Sequence, residues 1–123
     1  MALLWIALLV VASSHQGTGP SKNDIPYADK VLHFVFFAGG AAAFGLIGRI
    51  VLRAGWPTIF VVCVLLMATF GFLDEWHQLT VPGRSGGDYK DWLADVAGAI
   101  AGIVILRHFL SPQSDNQEVT SKA

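Results

Sequence analysis

The sequence predicts an all-α integral membrane protein: a bundle of four transmembrane helices with polar loops gathered on one side. Three observations carry this. Hydrophobic residues make up 54% of the 123 and charged residues only 14%, against about a quarter charged in an ordinary soluble domain. Mean hydropathy is +0.55. The apolar residues fall into long runs with no period-two alternation, and in lipid only helices or closed barrels satisfy their own backbone. A chain of this length is by default one domain. The net charge of −1 argues against a nucleic-acid binder, which needs a basic face.

Met1 to Val11 is the first run. It is short, and "VVASSHQ" could close a signal peptide, but no Lys or Arg precedes it as a signal peptide requires. We therefore expect a retained helix. Val31 to Gly48 contains His33 as its one ionisable residue, and Trp56 to Leu73 contains no charge. With flanking residues both reach the roughly 20 apolar residues that a bilayer core demands. The fourth run, Trp92 to Leu106, contains Asp95, and it spans if Phe109 and Leu110 join it while Arg107 snorkels. Domain bounds follow: a transmembrane domain over residues 1–110 and a polar tail over 111–123. The tail, "SPQSDNQEVTSKA", has no apolar period and is expected to be disordered.

Small residues crowd two helices, in "AGGAAAFGLIG" and at Gly98 and Gly102. In lipid such faces bring helices into close van der Waals contact, so they are packing faces. Cys63 stands alone in an apolar run and reads as a small apolar residue. Trp76 and Trp92 read as interfacial anchors. His15 and His108 are assigned no role.

Orientation is weakly written. Lys22, Lys30, Arg84 and Lys90 lie on the loops of one side, while Arg49, Arg53, Arg107 and Lys122 lie on the other. Lys30 and Arg84 sit among acids, whereas Arg49, Arg53 and Arg107 stand at helix ends without acidic neighbours, as markers of the cytoplasmic side do. The C-terminus is thus placed in the cytoplasm and the polar loops outside. Six of the nine acids lie on those outward loops.

The polar residues form a pattern. Asp29 and His33 are spaced i, i+4, as are Asp74 and Gln78, and Asp88, Asp91 and Asp95 follow at three and four. Such spacings share a helix face. An ionisable group at membrane depth costs about 2.5–3.5 kcal/mol on insertion scales and turns inward to a partner. Asp95 is such a group, and Arg84 and His33 are its candidate partners. "TVPGRSGGD" is a turn that presents Arg84, whose forked guanidinium suits carboxylate or phosphate. Each charge taken singly reads as an ordinary surface charge. The set does not, because Asp95 lies within a span and His33 near the start of another. We expect Arg84 to pair with Glu75, Asp91 or Asp95, with His33 in the same cluster.

"DKVLHFVFFAGGA", "DEWHQLTVPGRSGGDYKDWLAD" and "GAIAG" resemble the VanZ-like family of small bacterial membrane proteins. Asp29, Lys30 and His33 match its first element, and Asp74, Glu75 and Gln78 its second. Pro82, Gly83 and Arg84 match the third, and Asp91, Asp95, Gly98 and Gly102 the last. "VVASSHQG" is similar to a Ser-Ser-Gln element after the family's first helix, here interrupted by His15. The resemblance implies a multi-pass protein of the bacterial cytoplasmic membrane. The family's namesake is linked to resistance to teicoplanin, which binds cell-wall precursors outside the membrane. The resemblance implies no particular reaction.

Three functions stay open at this point. The first is an enzyme acting on an envelope lipid or lipid-linked glycan, with His33, Glu75, Arg84, Asp91 and Asp95 as the candidate catalytic cluster. Asp29, Lys30, Asp74 and Gln78 would line the substrate site. Oxygen-rich clusters suit Mg²⁺ or Mn²⁺, so either ion is a candidate cofactor with its ligands unassigned. The second is a binding or shielding protein with no chemistry, using the same residues. The third is a small transporter with Asp95 and His33 as a relay, which the scarcity of polar residues in the third run, beyond Thr58 and Thr69, argues against.

Overall fold

The computed structural model describes residues 2–14, 27–83 and 86–111. Among the described residues there are four helices and no strand: α1 (Ala2–Ser14), α2 (Ala28–Ile50), α3 (Trp56–Gln78) and α4 (Tyr89–Leu110). The all-α architecture is the one the sequence predicts. Three of these helices are long and apolar enough to cross a membrane. The 23 residues of α2 or α3 run about 35 Å at 1.5 Å per residue, more than the roughly 30 Å hydrocarbon core. The first helix is shorter, with 13 residues. The tail beyond Ser111 and the loop histidine His15 lie outside the described residues.

Local sequence sets the helix ends. Asp29 stands in the first turn of α2 and Arg49 in its last, each on the side that the helix dipole favours. Pro57 opens α3, where its missing N–H costs nothing. The short α2–α3 connection is pinned by Arg49, whose guanidinium donates to the Ala54 carbonyl at 3.2 Å and lies 5.6 Å from the centre of the Trp56 ring. Asp88 caps α4 by accepting the Lys90 N–H at 2.8 Å.

Helices α2 and α4 run parallel and in close contact. Lys30 meets Asp91, and His33 meets Asp95. A Cβ added at Gly98 would overlap the Phe34 carbonyl, and one at Gly102 would overlap the Ala38 carbonyl. These pairings advance together along both helices, which is a parallel register. Helix α3 runs antiparallel to both, and α1 packs on α2 and α3. Trp5 anchors α1 by donating from its indole to the Phe36 carbonyl at 3.0 Å.

The surface is inverted relative to a soluble protein. Leu32 is 70% exposed and Leu65 63%, and many other aliphatic side chains on α2, α3 and α4 face outward with them. Inside, the bundle divides into two halves. One end is apolar, filled by Ile59, Cys63, Met67, Ala99 and Ile103. The other end holds the buried polar side chains: Ser13, Asp74, Glu75, Gln78, Asp91 and Asp95. Burying acids while exposing leucines is a favourable arrangement only where lipid surrounds the helices.

Candidate functional site

The polar end is built by the last turn of α1, the first turns of α2 and α4, and the last turns of α3. The antiparallel run of α3 places its C-terminus beside the starts of α2 and α4, so residues far apart in sequence converge.

Asp95 is the deepest group. It sits six residues into α4, about 9 Å along the axis at 1.5 Å per residue, and is 0% exposed. Its Oδ1 lies 2.8 Å from His33 Nδ1. Its Oδ2 is buried with no hydrogen-bond partner among the described residues and faces Gly71 of α3, where an added Cβ would collide with it. The sequence reading offered two partners for Asp95, and His33 occupies that role. Arg84 lies outside the described residues.

Lys30 supplies the second positive charge. Its Nζ donates to Asp91 at 2.7 Å, Asp88 at 3.1 Å and Asp29 at 3.4 Å. Asp91 is buried, whereas Asp29 is exposed. Glu75, only 5% exposed, accepts the Asp88 backbone N–H at 2.9 Å through Oε2. Its Oε1 is buried and has no partner among the described residues. Asp74 and Gln78 form an internal α3 pair, with the amide donating at 2.7 Å. The loop reaches this end because Gly86 lies flat on the last turn of α3, where a side chain would overlap the backbone of Gln78 and Leu79. Gly83 and Gly87 both take φ of +79°, a left-handed conformation that glycine adopts without penalty.

Asp88 does two jobs. Its carboxyl is held below the usual carboxylate range, first by the Lys90 N–H and then by the Lys30 ammonium. Because its pKa is lowered in the folded state, its contribution to stability is present above the ordinary carboxylate value and is lost as pH falls through the lowered one. Asp88→Ala is expected to cost about 0.5–2 kcal/mol, the range for losing an N-cap. Asp88→Asn keeps the cap and should retain most of that stability in thermal unfolding of the detergent-solubilised protein. Equal losses for the two variants would move the weight from the cap to the Lys30 pair.

A cavity of about 280 Å³ opens onto this end. Its walls are apolar, from Leu9, Leu32, Phe36 and Phe37, and its polar lining comes from Ser13, Asp29, His33, Asp74 and Gln78. Sequence reasoning missed Ser13, which is buried with its hydroxyl unpartnered among the described residues. The "SSHQG" segment, whose two serines close α1, was the available signal. It also missed the contact between the Ser14 hydroxyl and His77 Nε2 at 3.2 Å, which ties α1 to α3. Trp76 is exposed at this end, as an interfacial anchor would be. Trp92 instead donates to the Ala68 carbonyl at 2.9 Å and joins α4 to α3.

The site is thus a set of acids from α2, α3 and α4, met by one imidazole and one ammonium, beside a cavity that is apolar on its walls. Such a set can hold a cation, bind a polar headgroup or move a proton. No curated protein and no solved structure matches the chain. A family model described as VanZ/LLP1 matches residues 1–110, a span that takes in all four helices and every site residue described above. The chain belongs to the VanZ/LLP1 family of membrane proteins.

Proposed function

We propose that this protein sits in the bacterial cytoplasmic membrane with its polar end outward. There it engages the headgroup of an envelope lipid or lipid-linked cell-wall precursor. The observation that carries the reading is the cavity, whose walls of Leu32, Phe36 and Phe37 give way to His33, Asp74 and Gln78. An occupant with an apolar chain and a hydrogen-bonding head matches both surfaces at once. Asp29, Lys30, Asp74 and Gln78 would contact the head, while His33 lines the cavity and links it to Asp95 behind, next to Glu75 and Asp91. Arg84, outside the described residues, would supply a phosphate contact from the loop. The link of the family's namesake to teicoplanin resistance fits a protein that acts on, or covers, precursors outside the membrane. A transporter is disfavoured because the other half of the bundle is packed with Ile59, Cys63, Met67 and Ile103, which leaves no polar path among the described residues.

The test is photo-crosslinking of the reconstituted protein with labelled lipid-linked precursor, followed by analysis of the label. Crosslinking should map to the cavity and fall at least tenfold in a Gln78→Leu, Asp74→Leu double variant. Product formation would identify an enzyme; binding without turnover would identify a binding or shielding protein. Crosslinking unaffected by the double variant would refute the cavity as the site.

A further inference from the structure

We propose that His33, Glu75 and Asp91 form a binding site for one divalent cation of the Mn²⁺–Zn²⁺ class. One ring nitrogen of His33 and one carboxylate oxygen each from Glu75 and Asp91 lie within 4.8 Å of one another. Ligand bonds to such ions are about 2.0–2.2 Å, so ligand atoms lie about 3.4 Å apart around a tetrahedral ion. Small rotations of three side chains close the group. Each ligand comes from a different helix, so the ion would tie α2, α3 and α4 together.

Two independent features point to a ligand rather than to a mere gathering of acids. The first is Glu75 Oε1. Glu75 is 5% exposed, its Oε2 already holds the Asp88 N–H, and its Oε1 is buried with no partner among the described residues. A buried carboxylate oxygen without a donor is costly, and a cation removes that cost. The second is the pairing of His33 Nδ1 with Asp95. It leaves Nε2 as the ring nitrogen available to a ligand. A carboxylate behind an imidazole is the usual way in which proteins orient a metal-binding histidine. Asp91 is held in place by Lys30, which donates to its Oδ1. Lys30 balances Asp29, Asp88 and Asp91 but makes no contact with Glu75.

The nitrogen ligand selects the metal. Mg²⁺ prefers oxygen and keeps its waters, whereas imidazole suits Zn²⁺ and carboxylates suit Mn²⁺. Of the two ions suggested by the oxygen-rich sequence alone, the imidazole favours Mn²⁺. Three protein ligands leave positions open for a further ligand, as in catalytic metal sites. The role of the ion, offsetting the acids so that an anionic headgroup can approach, rests on the headgroup reading above. Its binding does not.

The experiment therefore uses the full chain in lipid-free detergent, stripped of metal and titrated with Mn²⁺. One Mn²⁺ per chain should bind. Pulsed electron paramagnetic resonance should show coupling to an imidazole ¹⁴N, and Zn²⁺ but not equimolar Mg²⁺ should displace the ion. Glu75→Gln and His33→Gln should each weaken binding more than tenfold, with the ¹⁴N coupling lost in the latter. Asp95→Asn should weaken it about 10–100-fold, the range for losing the group behind a metal-bound histidine. His108→Ala, at the far end of α4, should leave binding unchanged. No ¹⁴N coupling in the wild type would overturn the site without recourse to any variant, as would displacement by equimolar Mg²⁺ or unchanged affinity in Glu75→Gln. Metal binding without precursor crosslinking would sink the headgroup reading and leave the cation site standing; the reverse result would do the opposite.

Discussion

In the metal-free protein, His33→Ala is expected to destabilise the bundle by about 3–5 kcal/mol, the range for removing one partner from a buried ion pair. Asp95 is fully buried, and His33 is its one hydrogen-bonding partner among the described residues. Without the imidazole the buried carboxylate must either hold an unpaired charge or take up a proton, and either costs stability. Asp95→Asn should cost less, because the half-buried His33 can turn neutral and the amide can still accept its hydrogen bond. The double variant should be more stable than His33→Ala alone, since the charge that needed a partner is gone. Neutral hydrogen bonds between membrane helices average about 0.6 kcal/mol and reach about 1.7, so a larger loss identifies a charged pair. Unfolding of all three variants in mixed detergent measures the coupling energy. Additive losses would mean that the two side chains are neighbours but not partners.

The second large effect concerns the contact between α2 and α4. Gly98→Ala and Gly102→Ala are each expected to destabilise the protein by about 1–3 kcal/mol, the usual range for overpacking. The double variant should lose more than either. Their Cβ atoms would overlap the backbone carbonyls of Phe34 and Ala38, and a backbone cannot rotate aside as a flexible side chain can. The helices must separate, and the His33–Asp95 and Lys30–Asp91 contacts must lengthen with them. Gly39→Ala is the internal control. Nothing lies within 4 Å of its added Cβ, so the higher helix propensity of alanine should raise stability by up to about 1 kcal/mol. Helicity against temperature in detergent reports all four variants. A gain at Gly98 equal to that at Gly39 would show that helix propensity rather than close approach decides the outcome.

Several features were legible in the residues alone. The apolar runs around Phe37, Met67 and Ile103 predicted helices in lipid, and three of the four helices have the length to span it. The i, i+4 spacing of Asp74 and Gln78 predicted a shared face, and the two side chains are hydrogen-bonded. Asp95 within a span predicted an inward-facing acid with a partner, because the cost of a lone charge in lipid is a matter of composition and depth. The small-residue stripe at Gly98 and Gly102 predicted a packing face, and it lies against α2.

The sequence left undecided which acid each cation would meet. It offered Arg84, which lies outside the described residues, to Glu75, Asp91 and Asp95. In the folded chain Lys30 takes Asp91, the Asp88 N–H takes Glu75 and His33 takes Asp95. Those contacts cross between helices, so they depend on the axial register of α2 against α4 and on the direction of α3. Register is set by how closely Phe34 and Ala38 approach Gly98 and Gly102, a three-dimensional fit with no counterpart in linear spacing. The burial of Glu75 Oε1 and Ser13 Oγ without partners has the same origin. Sequence fixes that a polar residue stands near a helix end; only the packing of neighbouring helices removes it from water.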